Sequence, residues 1–441
     1  MSPEHLGFLM LGVLLVAIFL GFPMSFTLII VSLVFGYIGF GDLVFHLMVM
    51  QAFGFMKEEV LAAVPLFVFM GYVLERCGLM ERLFTSFQMV MGPVRGSLYL
   101  AVLVASTVFA MATGIIGAPV TVMGLMAVPI MMRNNYDPRL SAGVITGGGC
   151  LGILIPPSVM LVVMGPVAGI SVIKLLAAAI IPGFMLSGLY IAYAMLRCYL
   201  NPALGPALPP EERAKSMGQA FRELSLGILP VFVLVAASLG SILFGLATPT
   251  EGAALGAFGA LLLGLAYRRL TWDKLINSTR ETVQTSSMVL FLGMAANVYG
   301  AVFSRLGSGT MLVKSFLGLE MSPVIVLIVL MFFVFLLGWP LEWPAIIYIF
   351  LPMMLPIVNA FGFDKLWFCI LVAINLQTAF LSPPVAIAAY YLKGVAPNLS
   401  LWDIYVGMFQ FMGLQLVGLA IVAFFPETVT WLPELLFGPK A

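Results

Sequence analysis

Two proline pairs, Pro156-Pro157 and Pro383-Pro384, sit inside hydrophobic stretches, GCLGILIPPSVMLVVMG (149–165) and AFLSPPVAIAAYYLKG (379–394). Proline has no amide hydrogen and its ring collides with the preceding turn, so each pair interrupts a helix. At membrane depth such a break is tolerated only where protein or a water-filled cavity covers the freed backbone groups. What it offers is ligand chemistry: unwound carbonyls suit a sodium ion, and a half-helix N-terminus suits a carboxylate. Other chemistries lack their parts. The four cysteines (Cys77, Cys150, Cys198, Cys369) have no metal-ligand spacing, and His5 and His46 are the only histidines. That leaves neither a zinc site nor a Ser-His-Asp hydrolase. A channel would need polar rings along a continuous pore, which the paired re-entrant hairpins expected below argue against.

The environment follows from composition. Of 441 residues, 62% are hydrophobic and 9% charged, against about 25% charged in soluble domains. Apolar runs long enough to span a bilayer recur throughout, so the chain reads as an all-α polytopic membrane protein. A net charge of +1 gives no reason to invoke nucleic acid. The opening MSPEHLGFLMLG lacks a basic region and a cleavage site, and reads as a first helix.

The positioning elements repeat. The two Pro-Pro pairs lie 227 residues apart, as do Pro129 and Pro356, and Asp137 and Asp364. Upstream, Gly71-x-Val73-x-x-Arg76-x-Gly78 matches Gly300-x-Val302-x-x-Arg305-x-Gly307, and Pro23 matches Pro249. The chain is therefore expected to contain two copies of one unit, 1–200 and 226–425, joined by a polar linker (201–225) and followed by a tail (426–441). Each unit starts with a pair of scaffold helices, 7–40 and 226–267. Segment 41–59 is expected as an interfacial arm.

Next comes an apolar segment broken at its middle, about 98–132 and about 323–358. Each half holds about 14 residues, roughly 21 Å of helix, too short for a core of about 30 Å. Each should be a re-entrant hairpin, with its tip near Thr113-Gly114 or Gly338-Trp339. A Pro-Pro-broken helix follows, 141–165 and 367–391. With the hairpins counted as no crossing, each unit crosses five times, and an odd number turns the second copy upside down. With the linker in the cytoplasm, basic residues divide fourteen inside to six outside, as the positive-inside rule requires. Two tips facing two breaks would make two ion sites flanking one substrate site, the layout of a secondary transporter.

PLFVFMG (65–71), GILIPPS (152–158), ATPTEGAALG (247–256) and NLQTAFLSPPVAIAAYYLKGVAP (375–397) resemble the large membrane subunit of tripartite ATP-independent periplasmic (TRAP) transporters, the DctM type. The resemblance spans essentially the whole chain. It implies a sodium-coupled importer of organic acid anions in the bacterial inner membrane, working by an elevator motion with sodium as the coupling ion and no cofactor. It also implies two partners, a small four-helix membrane subunit and a periplasmic substrate-binding protein. Carried over where motifs match, the first sodium site comprises Thr113, Gly114, Gly152, Ile155, Pro156, Pro157 and Ser158. The second comprises Gly338, Ala379, Ser382 and Val385. Thr113, Ser158, Asn375, Gln377 and Ser382 are the expected substrate contacts. The tips depart from the family pattern: Thr-Gly-Ile stands where Ser-Gly-Ser is common, and bulky Trp339-Pro340-Leu341-Glu342 follows Gly338.

Several residues admit a second role. Glu251 could bind an ion or serve structure or a subunit contact, and Glu342 at the second tip could do either. Asn375 and Gln377 could line the cavity or tie helices together. A rival reading is a stand-alone sodium/carboxylate symporter of related fold without a binding protein, a class that usually shows Ser-Asn-Thr at both tips. The Asn375–Pro397 stretch looks nearer to members handling 2-oxo monocarboxylates than to those handling sialic acid.

Overall fold

The computed structural model describes residues 3–114, 116–209, 211, 217–383 and 386–438. The first repeat begins with α1 (Pro3–Phe19) and α2 (Met24–Phe40), followed by the arm α3 (Leu43–Met56). Then come α4 (Ala63–Arg76), α5 (Leu79–Met91), α6 (Ser97–Thr113) and α7 (Gly117–Arg133). The broken pair α8 (Pro138–Cys150) and α9 (Val159–Ala168) precedes α10 (Val172–Leu200).

The second repeat runs through α11 (Met217–Leu243), α12 (Pro249–Ala266), α13 (Trp272–Arg305), α14 (Ser308–Gly318) and α15 (Pro323–Leu337). Its return arm is α16 (Trp343–Ala345), a π-helical turn (Ile346–Phe350) and α17 (Leu351–Ala360). The broken pair α18 (Lys365–Leu376) and α19 (Ile387–Val395) leads to α20 (Leu401–Phe424) and α21 (Glu427–Phe437).

The repeated landmarks now have physical roles. Asp137 and Asp364 are N-caps: their carboxylates accept from the Leu140 and Trp367 amides, each at 2.7 Å, and so start α8 and α18. Gly78 and Gly307 are left-handed, with φ of 69° and 81°, and turn the chain from α4 into α5 and from α13 into α14. Glu251 closes a capping box at the start of α12. Its carboxylate accepts from the Thr248 amide at 2.8 Å, and its own amide donates to the Thr248 hydroxyl at 3.2 Å.

Some elements differ from the sequence reading. α13 starts at Trp272, about three turns before its apolar run, because polar residues 272–283 continue the helix from a Thr271 cap. The second return arm is 18 residues long, Trp343–Ala360, and by length and composition alone could span a membrane. Its π-helical turn lies where Pro352 withholds the amide that a regular α-helix would aim at the Tyr348 carbonyl. The segment expected as a tail contains α21, packed on α10 with Val429 buried. The start of the linker is not free. The hydroxyls of Tyr99 and Tyr136 donate to the Leu204 and Pro206 carbonyls, each at 2.7 Å, at the base of the α6–α7 pair.

The helices pack in two groups. In one, α4 lies on α12 and α13, α13 on α2 and α3, and α11 on α12 and α5. In the other, α8 is the central pillar, contacting α6, α7, α10 and α20, while α10 also packs on α9 and α18. The repeats interleave there, since α19 of the second packs on α7 of the first. Glycines let α8 sit so centrally. Gly143 and Gly147 face Phe411 of α20, and Gly149 faces Val120 of α7. Outward faces of α1, α2, α11, α12 and α15 carry exposed Phe, Leu, Val and Ile, the surface a bilayer covers.

Candidate functional site

The site is built on the two breaks. α8 stops at Cys150, a 3-10 turn covers Leu151–Ile153, and α9 restarts at Val159. In a continuous helix residues 156 and 157 would donate to the carbonyls of Gly152 and Ile153, and prolines cannot. The Ser158 hydroxyl donates to the Ile153 carbonyl instead. The Gly152 carbonyl is thus left without its helical donor. In the second repeat a 3-10 turn spans Gln377–Phe380, and Pro383 deprives the Ala379 carbonyl in the same way. Ser382 donates to the Thr378 carbonyl at 2.5 Å. Gly152 and Ala379 are equivalent positions in the two repeats.

Each tip rests on the break of its own repeat. Gly114 is left-handed, with φ of 61°. A Cβ added there would stand 3.3 Å from the Val159 amide nitrogen and 3.4 Å from the Pro157 carbonyl oxygen. A Cβ on Gly338 would stand 3.0 Å from the Ala379 Cβ. Glycine at both tips lets turn and break meet almost backbone to backbone.

Both tips and both broken helices border one cavity of about 330 Å³, at the small end of the roughly 300–1,000 Å³ range of small-molecule sites. Four helical stretches begin at its wall, at Gly117, Val159, Trp343 and Ile387. Their first amides have no intrahelical acceptor and carry the positive end of the helix dipole. Among the described residues no Lys or Arg lines this cavity. The wall opposite the tips comes from α4 and α13, with Tyr72 and Thr285 joined hydroxyl to hydroxyl at 3.0 Å. One turn further, Arg76 and Glu281 pair at 2.5 Å.

A second cavity of about 520 Å³ lies toward the other end of α13, walled by Gln51, Asn297, Ser304, Val167 and Tyr348 among others. Between the two, Tyr348 of the return arm packs against Gly293, whose added Cβ would come within 2.5 Å of its Cζ. One face of α13 therefore lines both cavities, Thr285 and Val289 below this contact and Ala296 and Gly300 above it.

The expected site residues divide accordingly. Gly114 lines the first cavity, and Gly338 touches Ala379 behind it. Gly152, Ile155, Pro156, Pro157, Ser158, Ala379 and Ser382 are buried around the breaks. Asn375 donates to the Met331 carbonyl at 2.6 Å, tying α18 to α15, and Gln377 is fully buried. Ser158, Ser382, Asn375 and Gln377 are not wall residues of the cavity. The side chain of Thr113 and the whole of Val385 lie outside the described residues. Sequence reasoning missed Tyr72, Thr285 and Tyr391. Their only signal is a hydroxyl within an apolar run, which does not reveal which way a helix faces.

The family model of the tripartite ATP-independent periplasmic transporter DctM component matches residues 11–428. The chain belongs to this family. Among TRAP relatives, the sialic acid TRAP transporter large permease protein SiaM of Vibrio cholerae is 29% identical over 422 residues, covering 96% of this chain and 97% of its own. The C4-dicarboxylate TRAP transporter large permease protein DctM of the same species is 28% identical, covering 88% of each chain. The 2,3-diketo-L-gulonate TRAP transporter large permease protein YiaN of Escherichia coli is 28% identical, covering 84% and 85%. The crystal structure of the Alcanivorax borkumensis YdaH transporter shares the fold, with a TM-score of 0.66 at 14% identity over 98% of this chain and all of that one. The resemblance read from the Pro-Pro motifs is thus family membership, and the protein is a multi-pass membrane protein of the TRAP permease type.

Proposed function

We propose that this chain is the translocating subunit of a sodium-coupled TRAP carrier that imports an organic acid anion. It would work with a small four-helix membrane subunit and a periplasmic binding protein that delivers the solute. The observation that carries this reading is the pair of tip-on-break contacts, Gly114 on Pro157–Val159 and Gly338 on Ala379, flanking one cavity. The relatives named for sialic acid, C4-dicarboxylates and 2,3-diketo-L-gulonate all act on acids. A cavity bordered by helix N-termini, with no basic side chain among the described residues that line it, suits a carboxylate held by amides and by coupling ions.

The donor set at the breaks fits sodium, a hard cation that takes neutral oxygen ligands. The Gly152 and Ala379 carbonyls lack helical donors, and the Ser158 and Ser382 hydroxyls spend their protons on backbone carbonyls. Their lone pairs remain available to an ion. Alternating access follows from a block, α6–α10 with α15–α21, sliding on a frame of α1–α5 with α11–α14. The Tyr348–Gly293 contact lies between the larger cavity and the site; with the linker in the cytoplasm, this would be the inward-facing conformation.

Ser158→Ala and Ser382→Ala should each raise the sodium concentration for half-maximal uptake several-fold, while uptake at saturating sodium stays near wild type. The loss corresponds to about 1 kcal/mol per neutral ligand, by analogy with a modest hydrogen bond. Proteoliposomes containing the complete tripartite system provide the assay. An unchanged sodium midpoint in both variants would remove the breaks as ion sites.

A further inference from the structure

The larger cavity, about 520 Å³, is bounded by glycines that no neighbour requires. Gly54 of α3, Gly300 of α13 and Gly309 of α14 line it, and an added Cβ on each would meet nothing within 4 Å. Gly300 stands well inside a helix, where glycine is less stable than alanine. Bare backbone there makes room for something that this conformation does not bring. Tyr348, 4% exposed, walls the same cavity, and its buried hydroxyl has no hydrogen-bond partner among the described residues. A lipid chain would leave that hydroxyl unsatisfied, so the space is built for polar contents.

Spacing along α13 says what arrives. Thr285 and Val289 face the tip cavity, and Ala296 and Gly300, each eleven residues further on, face the larger one. Eleven residues close three helical turns to within about 20° and advance about 16 Å. The two pairs therefore repeat one wall at two levels of one helix face. The sequence repeat agrees. In the register that matches Gly71 to Gly300, Val68 and Tyr72 of the tip-cavity wall correspond to Asn297 and Ala301 of the larger cavity.

We propose that Ala296 and Gly300 form the frame wall of a second position of the acid site, three turns along α13 from the first, with the organic acid anion still held on the tips. The inference rests on the reading of tips and broken helices as a moving acid site, and deepens it by naming where that site comes to rest. Glu58 is the one charged residue among the described residues that line the larger cavity. An acidic wall without a base repels a free anion. The cavity is therefore room for a loaded site and not a separate anion site. Glycine at 300 is what lets the loaded tips pass and seat.

The test fills that room without touching the tip cavity. Gly300→Cys is made in a background lacking the four native cysteines, and the complete tripartite system is assayed in proteoliposomes with labelled pyruvate, succinate and sialic acid. A thiol is small, so part of the wild-type uptake should remain. Attaching a benzyl group through a reducible mixed disulfide should cut that uptake at least about ten-fold, as overpacking does, and reduction should restore it. Gly300→Trp, which needs no reagent, should show the same loss. In both cases the acid's half-saturation for thermal stabilisation of the purified large and small subunits should stay within about two-fold of wild type. Full uptake with the thiol verified as labelled overturns the proposal. So does a parallel loss of uptake and stabilisation, which would place Gly300 in the site as it stands here. Lost affinity for the binding protein after labelling also overturns it, by assigning the cavity to that partner. A wild type that takes up none of the three acids overturns instead the reading of the chain as a carboxylate carrier.

Discussion

Bridging α13 to the second return arm should reduce uptake to background. Tyr348 packs on Gly293 at the boundary between the two cavities, with 2.5 Å from its Cζ to the position of an added Cβ. Cysteine at 293 alone would collide with that ring. Replacing Tyr348 by cysteine as well removes the ring and opens the gap that a short cleavable bifunctional thiol reagent can span. The background must lack Cys77, Cys150, Cys198 and Cys369, all of which are buried. If the block carries its site past α13, the bridge holds it in the conformation described here, and cleaving the reagent restores uptake. Tyr348→Cys without the second cysteine should transport with or without reagent. Full uptake through a verified bridge would leave a gated pore in a fixed frame.

Among the glycines where α8 meets α20, Gly407 should be the least tolerant of substitution. A Cβ at this position would lie 2.1 Å from the Arg139 carbonyl oxygen and 2.7 Å from the Gly143 nitrogen. Both obstacles are backbone of the central pillar α8, so no side chain can swing aside. α8 and α20 would have to separate and open the Phe411 contact along their length. Overpacking typically costs about 1–3 kcal/mol, and a clash with backbone belongs at or above the top of that range. Gly407→Leu should therefore give little monodisperse protein, and Gly407→Ala a clearly lowered thermal midpoint in detergent. Gly413 on the same helix has nothing within 4 Å of an added Cβ. Gly413→Ala should stay within about 0.5 kcal/mol of wild type. Equal midpoints for the two alanine variants would contradict the close approach of α8 and α20.

Backbone chemistry was the readable part of this sequence. Pro156-Pro157 and Pro383-Pro384 mark where helices break, and Gly114 and Gly338 where the hairpins turn; Asp137, Asp364, Gly78 and Gly307 were legible as repeat landmarks, and the structure gave them their capping and turning roles. The breaks and tips act within a few residues of themselves, so a one-dimensional reading finds them. What escaped depends on register between helices distant in sequence. Tyr72 meets Thr285 across 213 residues, and Asn375 reaches back to Met331 rather than into the cavity. Hydropathy also hid helices that are not uniformly apolar. Residues 272–283 extend α13, and α5 and α14 are amphipathic segments following the glycine turns. Glu251, which the sequence left open between an ion ligand and a structural or subunit-contact role, closes a capping box.

Sodium-driven uptake tests the central claim most directly. Proteoliposomes holding this chain, its small subunit and the loaded binding protein should accumulate labelled solute only under an inward sodium gradient. Two break sites predict a sigmoidal dependence on external sodium. Accumulation driven equally well by a proton gradient in sodium-free buffer would contradict the account.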